Sequence, residues 1–230
     1  PPIIFDSGYE KIQADSISSM TKRAVKTNVH LGSPYSSRGK DQQGDPVRFV
    51  GSVGCRAMHG TEHGFVTAAH CLPKMGLSVC IGETDTNLGK VTSVKLNASS
   101  DAAFVAVDYD KYYPTNTTYR TKTALYDKIL KNSSLVGYEV STEGQKTANV
   151  VKAKVTEINK KVHVQKWTPA GQADFYANNM VYATFTSSQT QEGDSGGIVY
   201  VNGYVAGIHS ARLGNTTQIF SSAELVFKKK

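Results

Sequence analysis

The run Gln191-Glu192-Gly193-Asp194-Ser195-Gly196-Gly197 sets a serine among glycines. Glycine tolerates the positive φ and close backbone approach of a tight turn, so this spacing predicts that Ser195 is presented on a sharp loop. Strand-like runs flank it at 180–185 and 198–201. A serine hydroxyl is a poor nucleophile until a base takes its proton and a third group orients that base. The chain offers both. Thr67-Ala68-Ala69-His70-Cys71 closes the apolar run Gly64-Phe65-Val66, and Asp101 leads directly into Ala102-Ala103-Phe104-Val105-Ala106-Val107. An acid heading a buried strand can be shielded and aimed at one imidazole nitrogen. Asp85, Asp108 and Asp110 are the competitors; the last two stand in a polar Tyr/Lys stretch.

Thr-Ala-Ala-His-Cys, Asp-Ala-Ala-Phe-Val and Gly-Asp-Ser-Gly-Gly, read in that order, resemble the chymotrypsin-like serine peptidases; other folds with the same three residues order them differently. Ser52-Val53-Gly54, a turn, then Gly64-Phe65-Val66-Thr67-Ala68-Ala69-His70-Cys71 is similar to the microbial branch, the α-lytic protease/streptogrisin and glutamyl endopeptidase-like group. The resemblance covers roughly residues 48 to 225. It implies an all-β fold: two packed six-stranded antiparallel β-barrels with a short C-terminal helix. Residues 1–45 would be an N-terminal extension. Residues 46–120 would form the first barrel, with His70 and Asp101, and 121–230 the second, with Ser195 and the substrate pocket.

The implied activity is that of a serine endopeptidase working through an acyl-enzyme, with no cofactor and no metal. His70 would be the base, Asp101 its orienting acid and Ser195 the nucleophile. The N–H groups of Gly193 and Ser195 would form the oxyanion hole. Among three cysteines, an odd number that forbids complete pairing, the resemblance pairs Cys55 with Cys71. Cys71–Cys80 is the alternative; otherwise Cys80 is a buried free thiol. The family's Asp194 needs a cationic partner; the chain lacks an Ile-Val-Gly-Gly-like start, so an internal basic side chain is expected. In the pocket, Gln189 stands where Arg/Lys-specific members carry Asp. His209 matches the pocket histidine of glutamate-specific members, Thr190 a hydroxyl often found with it, and Ser210 the serine beside the catalytic acid. Arg212 favours an acidic substrate side chain and Glu192 opposes it. The expected preference is Glu, or Asp, before the scissile bond. The competing reading is a mixed or small-residue pocket with His209 merely packed.

The elements that must position these residues read as β throughout. Strands are expected at 48–58, 64–69, 77–81, 88–96, 102–107, 135–140, 147–157, 161–167, 179–187, 197–202 and 204–210, with Asn202-Gly203 a strong two-residue hairpin signal. Residues 33–44 read as loop. Residues 109–132 read as a linker with a short helix near 123–131. Ser221-Ser222-Ala223-Glu224 could be a capping box opening the final helix. His59-Gly60-Thr61-Glu62-His63 matches an inverted zinc-peptidase motif, but flanking glycines break any helix, so it reads as a hairpin turn.

Composition narrows the class. No apolar run approaches the roughly 20 residues that span a bilayer. The formal charge of +7, from 26 basic and 19 acidic residues, reads as a solubilising surface. Lys160-Lys161 and Lys228-Lys229-Lys230 are too short to argue for nucleic acid. The expected partners are protein or peptide substrates and proteinaceous serine-protease inhibitors, with the chain a monomer that binds neither nucleic acid nor membrane. Asn-x-Ser/Thr sequons at Asn97, Asn116, Asn132 and Asn215, with a bridged cysteine pair, point to secretion. The rival readings are a non-catalytic binding protein that kept this fold and a viral polyprotein-processing serine peptidase.

Overall fold

The computed structural model describes residues 25–96 and 100–227. The sequon at Asn97, the terminal lysines and residues 1–24 lie outside the described residues. Among the described residues the first part of the chain carries the strands β1 Thr27–Leu31, β2 Pro34–Lys40, β3 Pro46–Ser52, β4 Cys55–His59, β5 Glu62–Thr67, β6 Ser78–Ile81, β7 Asn87–Lys95, β8 Ala102–Val107 and β9 Tyr112–Thr118. β2 to β8 form one sheet in the order β3-β2-β6-β7-β8-β5-β4, while β1 pairs with β9 in parallel. The two outer strands, β3 and β4, are consecutive in the chain and separated only by Val53-Gly54. The sheet therefore curls until its edges meet at that corner. A Cβ on Gly54 would lie 2.4 Å from the Val66 carbonyl oxygen and 2.7 Å from that of Gly196. Only glycine fits, and the closing corner of the first domain touches the Ser195 loop.

The second domain is a closed six-stranded barrel in the order β10-β11-β12-β15-β14-β13. Its strands are β10 Glu139–Glu143, β11 Val151–Thr168, β12 Gly171–Phe185, β13 Ile198–Val201, β14 Tyr204–Leu213 and β15 Thr217–Ser222, followed by a helix, α1, at Ala223–Phe227. The start of β11 shows the cause: Val151, Ala153 and Val155 are buried while Lys152, Lys154 and Thr156 are exposed, the two-residue period of a half-buried strand. Each domain has its own core, Tyr35, Phe65, Leu72, Val79, Leu88 and Val105 in the first, Leu135, Val140, Val181, Val199 and Phe220 in the second. Burying each such side chain contributes about 1.5–3 kcal/mol.

The Asn202-Gly203 turn joins β13 to β14 with both residues at positive φ, 48° and 81°, the type I′ signature. His59 and Glu62 flank the two-residue turn Gly60-Thr61 between β4 and β5, and His63 lies within β5 opposite Met58. Elsewhere the chain departs from expectation. Residues 34–40 are strand, because β2 finds partners on both sides, β3 and β6; the polar turn is confined to 41–45. The first sheet thus begins before residue 46. The linker contains β9, and no helix forms at 123–131. That stretch is extended because its backbone is taken by neighbours: Tyr126 N–H donates to Gly203 O (2.7 Å) and Leu130 N–H to Val205 O (2.9 Å). Residues 151–185 form one long hairpin instead of three separate strands. The capping box is not made: Ser221 Oγ accepts from Asp101 N–H (2.9 Å), and Glu224 accepts from Asn132 N–H (2.7 Å).

Cys55, Cys71 and Cys80 are all free and buried, so the expected Cys55–Cys71 bridge and its Cys71–Cys80 alternative are both absent. Cys55 opens β4 and packs with Leu31, Val66 and Ile208, whereas Cys71 packs in the first-domain core with Phe65 and Leu72. Of the sequons, Asn132 is buried and its Nδ2 donates to Asn159 Oδ1 (2.9 Å), which removes it as a glycan acceptor. Asn116 Nδ2 donates to Leu125 O (2.8 Å). Asn215 is exposed on the β14–β15 turn.

Candidate active site

Three elements deliver the titratable groups. β5 ends at Thr67, and the turn after it, closed by Cys71 N–H to Ala68 O (3.2 Å), carries His70. Asp101 immediately precedes β8, which pairs with β5, so the two residues are brought side by side. Asp101 Oδ2 lies 2.6 Å from His70 Nδ1, and Oδ1 accepts from the His70 backbone N–H at 2.8 Å. Ser210 Oγ donates to Oδ2 at 2.5 Å. Ser210 is the extra residue of a bulge in β14, where pairing slips between His209 and Ala211. Bulges re-aim side chains, and here the bulge faces Ser210 toward the carboxylate.

Ser195 is held on the turn the glycines predicted, with Gly193 at φ +99° and Gly196 at +89°. Its hydroxyl donates to the Ser210 carbonyl (3.0 Å), the same residue whose hydroxyl sits on Asp101. The structure records no hydrogen bond between Ser195 Oγ and His70. His70, Asp101 and Ser195 are nonetheless brought into one buried cluster through Ser210. Among the described residues nothing accepts from the N–H of Gly193 or Ser195, whereas those of Asp194, Gly196 and Gly197 are bonded to Gln191, His209 and Asp194 carbonyls.

The surroundings set the charges. Burial disfavours a proton on His70, but the neighbouring Cys71 and the Asp101 carboxylate outweigh it, so His70 binds a proton more readily than free histidine. Burial opposes ionisation of Asp101; His70 and the hydrogen bonds from His70 and Ser210 overcome this and keep it ionised below the usual range.

Asp194 corrects an expectation. It is fully buried, and its partners are neutral: the N–H groups of Lys146 (2.8 Å), Thr147 (3.0 Å) and Gln191 (2.8 Å), and the Thr147 hydroxyl. No basic side chain is among these donors. Three backbone N–H groups and a hydroxyl can satisfy a carboxylate without a cation. The loop that supplies all of them but the Gln191 N–H, 144–147, is gripped by Arg120, which donates to the carbonyls of Gly144 (3.2 Å) and Gln145. Arg120 is itself anchored through Glu143, a buried carboxylate that also accepts from Thr121 and Tyr200 (2.9 Å). Ser52 is a second hub: its N–H donates to Ser195 O (2.9 Å), its Oγ donates to Gly193 O (2.8 Å) and accepts from Gln145 N–H (2.9 Å). Ser52, Arg120, Glu143 and Thr147 were not singled out from sequence.

In the pocket region, His209 is buried and Thr190 Oγ1 is buried without a hydrogen-bond partner among the described residues. Gln218 Nε2 donates to Thr142 Oγ1 (2.7 Å) and lies 3.3 Å from His209 Nδ1; with Nδ1 accepting, the ring proton sits on Nε2. Arg212 is exposed and donates to Gln189 Oε1 (2.9 Å), tying the segment before Ser195 to β14. Burial, with His70 nearby, pushes the His209 pKa down to about 4 against the carboxylates of Asp194 and Asp101. Unfolding releases this ring to its ordinary value of 6.5, so the unfolded state takes up the proton first on acidification. Folding stability is therefore expected to fall between about pH 6.5 and 4, by up to about 3 kcal/mol, and His209→Gln should flatten that part of a denaturation-versus-pH curve. Among the described residues no cluster of three His, Cys, Asp or Glu side chains could hold a metal.

A family model described as trypsin matches residues 32–223, a span that includes every residue of this cluster. The chain belongs to the trypsin family. Solved structures similar to it include Thermobifida fusca Protease A, at 18% identity and TM-score 0.63, covering 85% of this chain and 92% of that one. A glutamic acid specific serine protease that uses a histidine triad in substrate binding is 22% identical, TM-score 0.61, covering 84% and 93%. Nocardiopsis protease is 22% identical, TM-score 0.61, covering 85% and 93%. No curated protein matches the chain. As a trypsin-family member, it is a serine endopeptidase acting on peptide or protein substrates.

Proposed function

We propose that this trypsin-family peptidase attacks the scissile carbonyl with Ser195, deprotonated by His70, which Asp101 holds in the productive tautomer. The observation that carries this reading is the double hold of Asp101 on His70, through Nδ1 and the backbone N–H at 2.6 and 2.8 Å. That hold directs Nε2 to the base role. Ser195 Oγ rests on the Ser210 carbonyl and needs a side-chain rotation to reach the imidazole; such bonds often tighten only when substrate binds. The N–H groups of Gly193 and Ser195 then receive the oxyanion. His70 returns its proton to the leaving amine, and water repeats the cycle on the acyl-enzyme. Secretion is proposed with it, supported by the exposed sequon at Asn215; among the described residues no helix is long and apolar enough to cross a membrane.

The side chain accepted before the scissile bond is glutamate, or aspartate. His209 brings an Nε2–H and Thr190 a buried hydroxyl with no partner among the described residues, and both can donate to a carboxylate. The glutamic acid specific neighbour uses a histidine triad for substrate binding; here one histidine is backed by Gln218 and Thr142. A panel of peptides differing only at that residue tests this. Glu is expected to exceed Gln by at least about 10-fold in kcat/KM, and His209→Ala to erase the difference. A preference for Phe or Arg over Glu would rule the acidic pocket out.

A further inference from the structure

The long β11–β12 hairpin is two structures in one. Residues 151–154 of β11 pair with β10, and 180–184 of β12 pair with β15, so that half belongs to the barrel. From Val162↔Ala177 to Thr168↔Gly171 the two strands pair only with each other. Where the ribbon leaves the barrel, pairing slips between Lys160 and Val162, and Asn159 and Asn179 both take left-handed backbone, φ +59° and +56°. Two non-glycine residues at positive φ, one on each strand, mark a built bend.

The ribbon then crosses to the first domain. Val164, Ala173, Phe175 and Ala177 pack with Ile219 and with Leu96 beyond β7. At the tip, Trp167 Nε1–H donates to Lys40 O (2.7 Å) at the end of β2. Pro169 lies so close to Gly39 that a Cβ there would be 2.5 Å from the proline Cα. At the tip is a pocket of about 340 Å³, lined by Lys166 to Pro169 of the ribbon, by Tyr35, Phe49 and Val50 of the first domain, and by His70, Glu192 and Gly193. His70 and Gly193 line it and His209 and Thr190 do not; because the histidine hands its proton to the leaving amine, the pocket is assigned to the leaving-group side. The cations at its rim are engaged: Arg48 with Asp85, and Lys166 facing Glu192 at 3.9 Å.

We propose that this ribbon is a strap over the leaving-group side of the substrate, and that the pocket beneath it takes a large apolar or aromatic side chain from the first two residues after the scissile bond. The inference rests on the serine-peptidase reading above. Aromatic and aliphatic walls with their charges already paired select an apolar occupant, and a well-filled apolar pocket discriminates by roughly 10- to 200-fold.

The test compares two substrate classes with the same acyl side ending in Glu: a chromogenic anilide with no residue after the scissile bond, and internally quenched peptides carrying Phe, Leu, Gly, Lys or Asp at the two positions after it. Two variants are measured beside the wild type: Trp167→Ala, and a shortened chain in which residues 162–177 are replaced by an Asn-Gly turn. The wild type is expected to favour Phe or Leu over Gly and Asp by about 10-fold. In both variants that preference should vanish, and the ratio of peptide to anilide kcat/KM should fall by about 10-fold or more. A preference identical in wild type and both variants overturns the strap, as does a shortened chain that cleaves all extended peptides faster with its preference intact, the behaviour of a mere obstruction. If the wild type turns over neither class and Ser195 fails to react with a fluorophosphonate, the peptidase reading falls first and the strap with it.

Discussion

Replacing Ser195 by alanine is expected to lower kcat by roughly 10⁴- to 10⁶-fold, with KM within a few-fold of wild type. The hydroxyl makes one hydrogen bond, to the Ser210 carbonyl at 3.0 Å, so its loss leaves one acceptor short and little else disturbed. The Ser195 loop is held instead by its backbone: Ser195 O accepts from Ser52, and Gly196 N–H donates to His209 O (2.8 Å). The variant should therefore fold and melt close to wild type and bind substrate, while the covalent route is closed. His70→Ala should fall as far as Ser195→Ala, and the double variant little further, because residues of one nucleophilic unit are not additive. Stopped turnover of a Glu-anilide with unchanged thermal melting checks it; a drop of only a few-fold would mean another nucleophile is at work.

Asp101→Asn is the second large effect, about 10⁴-fold in kcat. Asp101 accepts three hydrogen bonds: from His70 Nδ1–H, from the His70 backbone and from Ser210 Oγ. An amide keeps the shape but offers only one accepting oxygen. If its NH₂ faces the ring, Nδ1 must accept, the ring proton moves to Nε2, and the base is blocked toward Ser195. The variant also removes the buried negative charge that helps His70 hold a proton. His70 should then titrate lower, so the acid limb of kcat should move to lower pH as kcat falls. A variant that loses activity through unfolding instead would show it as a lowered melting temperature with a normal pH profile for the residual rate.

How far the sequence foretold the molecule depends on how local each signal is. The Ser195 turn, the Asn202-Gly203 turn and the His59–His63 hairpin were legible because glycines at fixed positions demand particular backbone angles. Asp101 stood out because an acid heading the uniformly apolar strand 102–107 has little other reason to be there. What was illegible is what only long-range pairing creates. Nothing in Pro34–Lys40 marks it as a strand until β3 and β6 flank it. The cradle of Asp194 is built by backbone N–H groups of 146–147, which no side-chain pattern can advertise, and the Arg120 grip on that loop spans 24 residues and more. The cysteine pairing failed for a related reason: the resemblance supplied a partner for Cys71, but packing placed Cys55 and Cys71 in different cores.

The central claim is that Ser195 is a nucleophile activated by a histidine that Asp101 orients. Its most direct test is to treat the folded protein with an active-site-directed fluorophosphonate and map the adduct by peptide mass spectrometry. A single phosphonyl adduct is expected, on Ser195, forming at least about 100-fold more slowly in His70→Ala. No adduct on a folded wild type, or one on a different residue that forms equally well without His70, would contradict it.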